Sequence, residues 1–231
     1  MYRHGQRTIP EHIVQGDGDY VNEISDHIER YIGPIHMVWH EIVSDLVHID
    51  VYHIVPSDEQ PYHILVTGGM GEVPMNVPDA ETPIGAELVI RLPADWPISK
   101  EAFQDEANWW PVRMLKHCAR LPHMYDTWLG PGHTVTNGDP LEPFVSGSLL
   151  CGVMTIEPDW LALDAQTLHV GERSVHFLEM IPLTAAEMDY KLQNGSTALL
   201  TQLRRMYSRN ADLFRNSRRC AAAKRAWWKF W

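Results

Sequence analysis

Two histidines and three carboxylates lie close together in the first quarter of the chain, where they could form a metal site or an acid–base site. His48 and Asp50 are two residues apart in a stretch whose β-branched content is typical of a strand, so their side chains would share one face. His40, Glu41 and Asp45 come directly before them. Because buried polar groups are usually paired, the five residues could equally form a hydrogen-bonded network inside a core. We favour the network and expect a structural role for all five.

A catalytic role for these residues meets specific obstacles. The His40–Glu41 pair resembles the start of a zinc protease helix, but Ser44 stands where the second histidine is needed. His48 and Asp50 would supply two ligands, one fewer than a catalytic zinc normally requires. We therefore expect no catalytic residue, no metal and no cofactor. The alternative is a metal-dependent hydrolase, whose ligands would come from His40, Glu41, His48, Asp50 and His133.

The elements that must position these residues alternate without a regular βαβ rhythm. Apolar periodicity predicts helices over 19–32, 111–121, 184–195 and 196–203, and strands over 37–42, 46–55, 62–67, 86–92, 133–136, 149–156, 167–170 and 174–182. Strands clustered between helices predict an α+β fold. We expect a single domain in which helices cover a mixed, mainly antiparallel β-sheet.

Several local signals fix the helix ends. Gly33 and Pro34 stop the first helix, and Pro111 suits the first turn of the second. Thr184 and Glu187 have the spacing of a capping box. Each of these signals marks a boundary that the structure can test.

Composition is that of a globular protein in a reducing compartment. The chain has 231 residues, is 45% hydrophobic, and contains three widely spaced cysteines without a CxxC pair. No window approaches the ~18 apolar residues needed to span a bilayer. We expect one soluble, cytoplasmic domain that does not enter a membrane.

The charge distribution divides the chain. Residues 204–231 contain nine Lys and Arg and one Asp, so they carry +8, while the other 10 basic and 29 acidic residues give the body −19. We therefore predict an N-terminal arm over 1–18, a domain over 19–203 and a basic aromatic tail over 204–231. An acidic body repels nucleic acid and attracts basic proteins.

The tail ends in RAWWKFW, a composition found in membrane-interface and single-strand-binding segments. We consider a tail that folds back onto the acidic body the better hypothesis, with no nucleic-acid or membrane role. We also expect that deleting residues 208–231 leaves a folded domain.

Six ordered blocks carry a resemblance to a known family. They read HE…SD…VHIDV, LVT-G-M…PM, ELVIRLPADW, WPVRMLKHCAR, GHTVTNGDPLEPF and VHFLEMIPL. Together they resemble the suppressor-of-fused domain family in its compact bacterial form, over residues 20 to 203. Gly69 and Gly71 depart from the small hydroxyl residues expected there, which predicts a more flexible loop.

The resemblance implies a non-enzymatic protein-binding module. Animal members sequester a transcription factor by clamping an extended peptide between two lobes, and the shorter bacterial members are commonly regarded as immunity proteins encoded beside polymorphic toxins. We therefore expect an immunity protein that binds a basic toxin domain, with a signalling adaptor as the alternative. The partner-binding residues would lie on two loops, at Met70, Met75, Val77, His133, Asp139 and Phe144.

Overall fold

The computed structural model describes residues 18–41 and 46–222, and these residues form four α-helices and eight strands. The helices are α1 (Gly18–Tyr31), α2 (Glu106–Tyr125), α3 (Ala185–Asn194) and α4 (Ser196–Met206). The strands are β1 (Met37–Trp39), β2 (Asp50–Ile54), β3 (Tyr62–Gly68), β4 (Gly85–Pro93), β5 (Thr134–Thr136), β6 (Leu150–Ile156), β7 (Thr167–Val170) and β8 (Arg173–Thr184).

All eight strands belong to one sheet. Its order is β1-β2-β3-β4-β8-β6-β5, and β7 pairs with β8 outside this path. The β4–β8 pair is parallel and every other pair is antiparallel. The predicted α+β fold, with a mixed and mainly antiparallel sheet, is confirmed.

Helices cover both faces of the sheet, which explains why β2 and β4 are buried along their whole length. On one face, α1 places Tyr20, Ile24 and Ile28 against β2, β3 and β8. On the other face, α2 packs Trp110 and Met114 against the same central strands. Helices α3 and α4 cover β6 and the second half of β8.

The first two strands are shorter than their patterns predict. The strand expected over 46–55 begins only at Asp50, because the backbone N–H of Ile49 donates to the Glu41 carboxylate (3.1 Å) instead of joining the sheet. The strand expected over 37–42 ends at Trp39.

The predicted capping box of α3 is confirmed. The Thr184 hydroxyl accepts a hydrogen bond from Glu187 N, and the Glu187 carboxylate accepts one from Thr184 N.

Helix α2 begins five residues before Pro111, so the prediction of its start was wrong. Asp105 caps the helix by accepting a hydrogen bond from Ala107 N. A proline within a helix leaves the carbonyl four residues earlier without its usual donor. Here that carbonyl belongs to Ala107, and Asn216 Nδ2 donates to it at 3.1 Å.

The short 3₁₀ helix at Asn210–Phe214 fills a split in the sheet. β4 and β8 pair only as far as Val89 and Glu179, and the 3₁₀ helix contacts both strands. Leu213 and Phe214 are buried in the cores on its two sides. Residues 210–214 therefore complete the core at the point where the two strands diverge.

The chain after Phe214 is also tied to the domain. The Arg218 guanidinium forms a two-pronged ion pair with Glu187 (2.6 and 2.8 Å), and both side chains are buried. The predicted boundary at Arg204 falls inside α4, and part of the predicted tail lies in the core. We therefore no longer expect removal of residues 208–231 to leave a folded domain.

Candidate functional site

A cleft of about 580 Å³ opens between the loop after β3 and the turn after α2. The loop contributes Met75, Asp79 and Glu81, and the turn contributes residues 128–131. Strand β8 contributes residues 176–178. The segment between β6 and β7 adds Glu157 and Leu163. Four segments that are remote in sequence therefore meet around one concave surface.

Hydrogen bonds hold the loop and the turn in place. Met75 N donates to Ile84 O at 2.7 Å, which closes the base of the loop. Asn76 N donates to Thr127 O at 3.1 Å, and Leu129 N donates to Met75 Sδ at 3.4 Å. These bonds fix the two walls of the cleft relative to each other.

The start of the same loop is anchored by the buried carboxylate of Glu87 in β4. It accepts hydrogen bonds from Gly69 N (2.9 Å), Gly71 N (3.0 Å) and Tyr20 OH (2.7 Å), and from the Thr67 hydroxyl. Burial raises the pKa of Glu87, and the four donors act against that rise by stabilising the ionised form. The expectation of a flexible loop receives no support from this geometry.

Gly69 is required by the backbone at this point. Its φ is 114°, and a Cβ there would lie 1.9 Å from His48 O. A hydroxyl residue at position 69 would therefore collide with the segment that leads into β2.

The rim of the cleft is acidic. Asp79, Glu81 and Glu157 are exposed, and no Lys or Arg lines the cleft among the residues that the structure describes. Asp79 accepts hydrogen bonds from Glu81 N, Thr82 N and the Thr82 hydroxyl, and the Thr82 bonds are the main cause of its lowered pKa. The rim therefore presents negative charge held in a defined turn.

The walls of the cleft are apolar and aromatic. Trp128 is half-buried and its ring meets His133 at 4.3 Å between centroids. Leu163, at the edge of the cleft, is 87% exposed. Burial lowers the pKa of His133 below its ordinary value, which favours the neutral ring beside Trp128.

The six residues expected to bind a partner are placed very differently. Met70 and Phe144 are buried, and Phe144 stacks on Trp110 at 4.4 Å, so neither presents a side chain to a partner. Met75 is 5% exposed and lines the cleft from within. Their predicted role as an accessible surface is therefore corrected. Val77 is half-buried, His133 is half-buried and Asp139 is exposed.

Four of the five predicted network residues come together around Asp50. Its carboxylate contacts His40 Nδ1 at 2.8 Å and His48 Nε2 at 3.0 Å, and accepts a hydrogen bond from Glu41 N at 3.0 Å. The Glu41 carboxylate in turn pairs with Arg120 of α2. Asp45 lies outside the described residues. The network therefore joins the start of β2 to α2.

Burial differs sharply within this network. The Asp50 side chain is 5% exposed, whereas that of His40 is 68% exposed. His133 precedes β5, at the other end of the sheet from β2, so it is not close enough to complete a site with His48 and Asp50. Among the described residues, no group of three His, Cys, Asp or Glu side chains is arranged to hold a metal ion.

Most of the cleft could not be predicted from the sequence. Asp79, Glu81, Glu157 and Trp128 come from three loops, and nothing in their spacing brings them together. One local signal was available, because Asp79 accepts a hydrogen bond from Glu81 N, two residues further on, as in an Asx turn. That signal predicts a turn but not the cleft beside it.

Comparison with known proteins identifies the family. The family model described as suppressor of fused protein (SUFU) matches residues 45–219. This chain belongs to the suppressor of fused family. The match extends beyond residue 203 and includes the 3₁₀ helix and Arg218, in agreement with their burial.

Solved structures of SUFU proteins share the fold. A putative SUFU homologue from Neisseria gonorrhoeae has a TM-score of 0.64 at 16% identity, over 89% of this chain and 98% of that protein. The Sufu–Fu complex has a TM-score of 0.61 at 13% identity, over 87% of this chain and 92% of that chain. Drosophila Suppressor of Fused gives 0.59 at 14% identity, over 93% of this chain but 54% of that protein. The resemblance to the compact bacterial form is confirmed.

The comparison with curated proteins finds no match. Within residues 18–41 and 46–222, none of the helices has the length and apolar character that crossing a bilayer requires.

Proposed function

We propose that this SUFU domain is a non-enzymatic binding protein that engages a basic protein partner through the acidic cleft, and that it acts as an immunity protein against a toxin. The observation that carries the proposal is the cleft itself, in which three exposed carboxylates surround an apolar wall and no Lys or Arg is present among the described lining residues. Opposite charge on the partner is the natural complement of this surface.

The chemistry of the cleft suits Lys and Arg side chains. Their aliphatic stems would lie along Trp128, while their charged heads would reach Asp79, Glu81 or Glu157. A cation placed over the Trp128 ring would add a cation–π attraction. One cleft can therefore bind both the apolar and the charged part of the same side chain.

The rigid walls of the cleft also favour binding. The loop and the turn are joined by hydrogen bonds from Asn76 N to Thr127 O and from Leu129 N to Met75 Sδ, so little ordering is required when a partner arrives. The exposed Leu163 would supply apolar contact area at the edge of the interface.

The relatives support a binding role in a limited way. One solved relative is a Sufu–Fu complex, so in that protein the fold forms a complex with another protein. The identity of 13% extends the fold, but not the partner, to this chain. A signalling adaptor would use the same cleft, and no contact in the described residues favours it over immunity.

Coexpression with the toxin domain that the proposal predicts to be encoded beside this chain tests the proposal. Cells that express the toxin should survive when the wild-type domain is present and should die when it carries Asp79→Asn, Glu81→Gln and Glu157→Gln. A matched control removes three exposed carboxylates elsewhere, by Asp58→Asn, Glu59→Gln and Glu101→Gln. Death of cells that express the soluble wild-type domain would contradict immunity for that pair. Survival of cells that express the cleft variant would exclude the cleft as the binding site.

A further inference from the structure

The chain itself contains a segment that complements the acidic cleft. Residues 223–231 read AKRAWWKFW, with three basic side chains, three Trp, one Phe and no acid. The cleft offers three carboxylates and the Trp128 wall. We propose that this C-terminal segment, which lies outside the described residues, binds in the cleft of its own domain and competes there with a basic partner. The competition rests on the proposed function, whereas the binding of the segment does not.

The described chain ends beside α3, whose end leads to residues that border the cleft. Ala221 and Ala222 line a cavity of about 410 Å³ that also contains Asn194, at the end of α3. Ser196, two residues further on, lies beside Gly132, 3.1 Å from where a Cβ on that glycine would be. Gly132 directly follows the 128–131 turn that lines the cleft.

The length of the segment sets how far it can extend. An extended chain spans ~3.3 Å per residue, so residues 223–231 reach ~30 Å from Ala222. The end of α3 and the start of α4 are the elements that the segment would have to pass.

Attachment to the domain favours binding even when the contacts are individually weak. A short tether gives the segment an effective concentration on the order of mM at sites that it can reach. Lys224, Arg225 and Lys229 would face the rim carboxylates, and the Trp side chains would stack on Trp128. The interleaving of basic and aromatic residues in the segment matches the mixture of acids and aromatics in the cleft.

The nearest competing site is the cavity at the end of α3. It is lined by Asp189, Tyr190 and polar side chains, and Asp189 is its one carboxylate among the described lining residues. A segment with three basic groups therefore finds more opposite charge in the cleft than in this cavity. Binding at Asp189 is the alternative that an experiment must separate.

Zero-length carbodiimide crosslinking of the full chain tests the proposal directly, because it joins a Lys amine only to a carboxylate in contact with it. Peptide mass spectrometry of the monomer band should find Lys224 or Lys229 linked to Asp79, Glu81 or Glu157. The variant D79N/E81Q/E157Q must lose these links, because it lacks the carboxyl groups that react. The informative variant is D79N, in which the yield of the links to Glu81 and to Glu157 should fall. The D58N/E59Q/E101Q control should keep all of them.

Three outcomes would overturn the proposal. They are the absence of tail links, tail links confined to Asp189 or to other carboxylates, and cleft links found only in the dimer band, which would mean that the segment binds a second copy. Each is read from the same digest, so no partner protein is needed.

A labelled peptide provides the second test. Fluorescent AKRAWWKFW should bind the full-chain variant K224E/R225E/K229E at least about twofold more tightly than wild type, because the wild-type segment already occupies the cleft. Binding to that variant should weaken severalfold when the three cleft carboxylates are also replaced. Equal binding to wild type and to the variant would contradict occupation of the cleft, while leaving the proposed partner binding to its own survival assay.

Discussion

Single buried carboxylates connect segments that are remote in sequence. Glu87 joins α1, β3 and the cleft loop, and Glu187 joins α3 to Arg218. Asp50 joins β2 to the residues after β1. Because each carboxylate accepts several hydrogen bonds, its removal would leave more than one donor without a partner.

The Asp50 network yields a stability prediction. Asp50→Ala should lower the free energy of unfolding by about 1–3 kcal/mol, because Glu41 N and His48 lose their acceptor. His40→Ala should have a smaller effect, since the His40 side chain is largely exposed. Urea denaturation of both variants measures the difference. An unchanged unfolding free energy in Asp50→Ala together with lost partner binding would show that Asp50 serves function instead.

His53 predicts how stability depends on pH. Burial, followed by the neighbouring His63 and His36, lowers its pKa from 6.5 to about 4. Between these values the unfolded chain binds a proton that the folded chain does not, so stability is present above about pH 6.5 and falls as the pH drops towards 4.

Denaturation of wild type and His53→Gln between pH 7 and pH 4 measures this effect. The stability advantage of wild type should shrink as the pH falls, by up to about 1.4 kcal/mol per pH unit. A constant difference over the whole range would contradict a buried neutral His53.

At the scale of elements, the 3₁₀ helix at Asn210–Phe214 is a core element. Phe214 is fully buried and stacks on Trp110 with centroids 5.6 Å apart. Phe214→Ala should therefore cost about 3–5 kcal/mol in thermal or urea unfolding. Leu192→Ala, at a site that is 79% exposed, is the matched control and should change little. Similar small losses in both variants would contradict the packing of this helix.

Two deletions separate the packed residues from the end of the chain. Removal of residues 208–231 deletes Phe214 and Arg218, leaves Glu187 buried without its partner, and should abolish the cooperative thermal transition. Removal of residues 223–231 should leave a cooperative transition. Circular dichroism of both shortened chains checks the pair, and a folded 1–207 chain would contradict the assignment of residues 210–218 to the core.

The elements that the sequence predicted well are those with a strong local signal. The capping box at Thr184 is a short-range pattern. The two-residue spacing of His48 and Asp50 is another, and the His48 ring contacts the Asp50 carboxylate. Helix α2 was started too late because the partner of the Ala107 carbonyl, Asn216, is more than 100 residues away. The boundary of the tail was placed too early for a similar reason. Arg218 was grouped with the exposed basic residues of the tail, although it is buried against Glu187. Met70 and Phe144 lie in loops whose burial depends on such distant contacts.

For the whole molecule, the uneven charge distribution determines how a partner approaches. Residues 1–222, which include the packed segment after α4, contain 16 basic and 30 acidic residues and so carry −14, and a basic partner would be attracted to them before contact. Raising the salt concentration from about 0.05 to 0.5 M should slow association steeply, because screening shortens the range of attraction to less than ~10 Å. Dissociation should change little, since it depends on the desolvated centre of the interface. Stopped-flow kinetics measures the association rate. An association rate that does not change with salt would contradict guidance of binding by charge.

Binding of a basic toxin domain, the partner that the proposed function predicts, to three forms of the full chain tests the role of the cleft most directly when it is measured by surface plasmon resonance at low salt. Replacement of Asp79, Glu81 and Glu157 by their amides should slow association about tenfold. The same change at Asp58, Glu59 and Glu101 should slow it far less, because these exposed residues lie away from the cleft. Equal kinetics for the two variants, at the same net charge, would contradict binding at the acidic cleft.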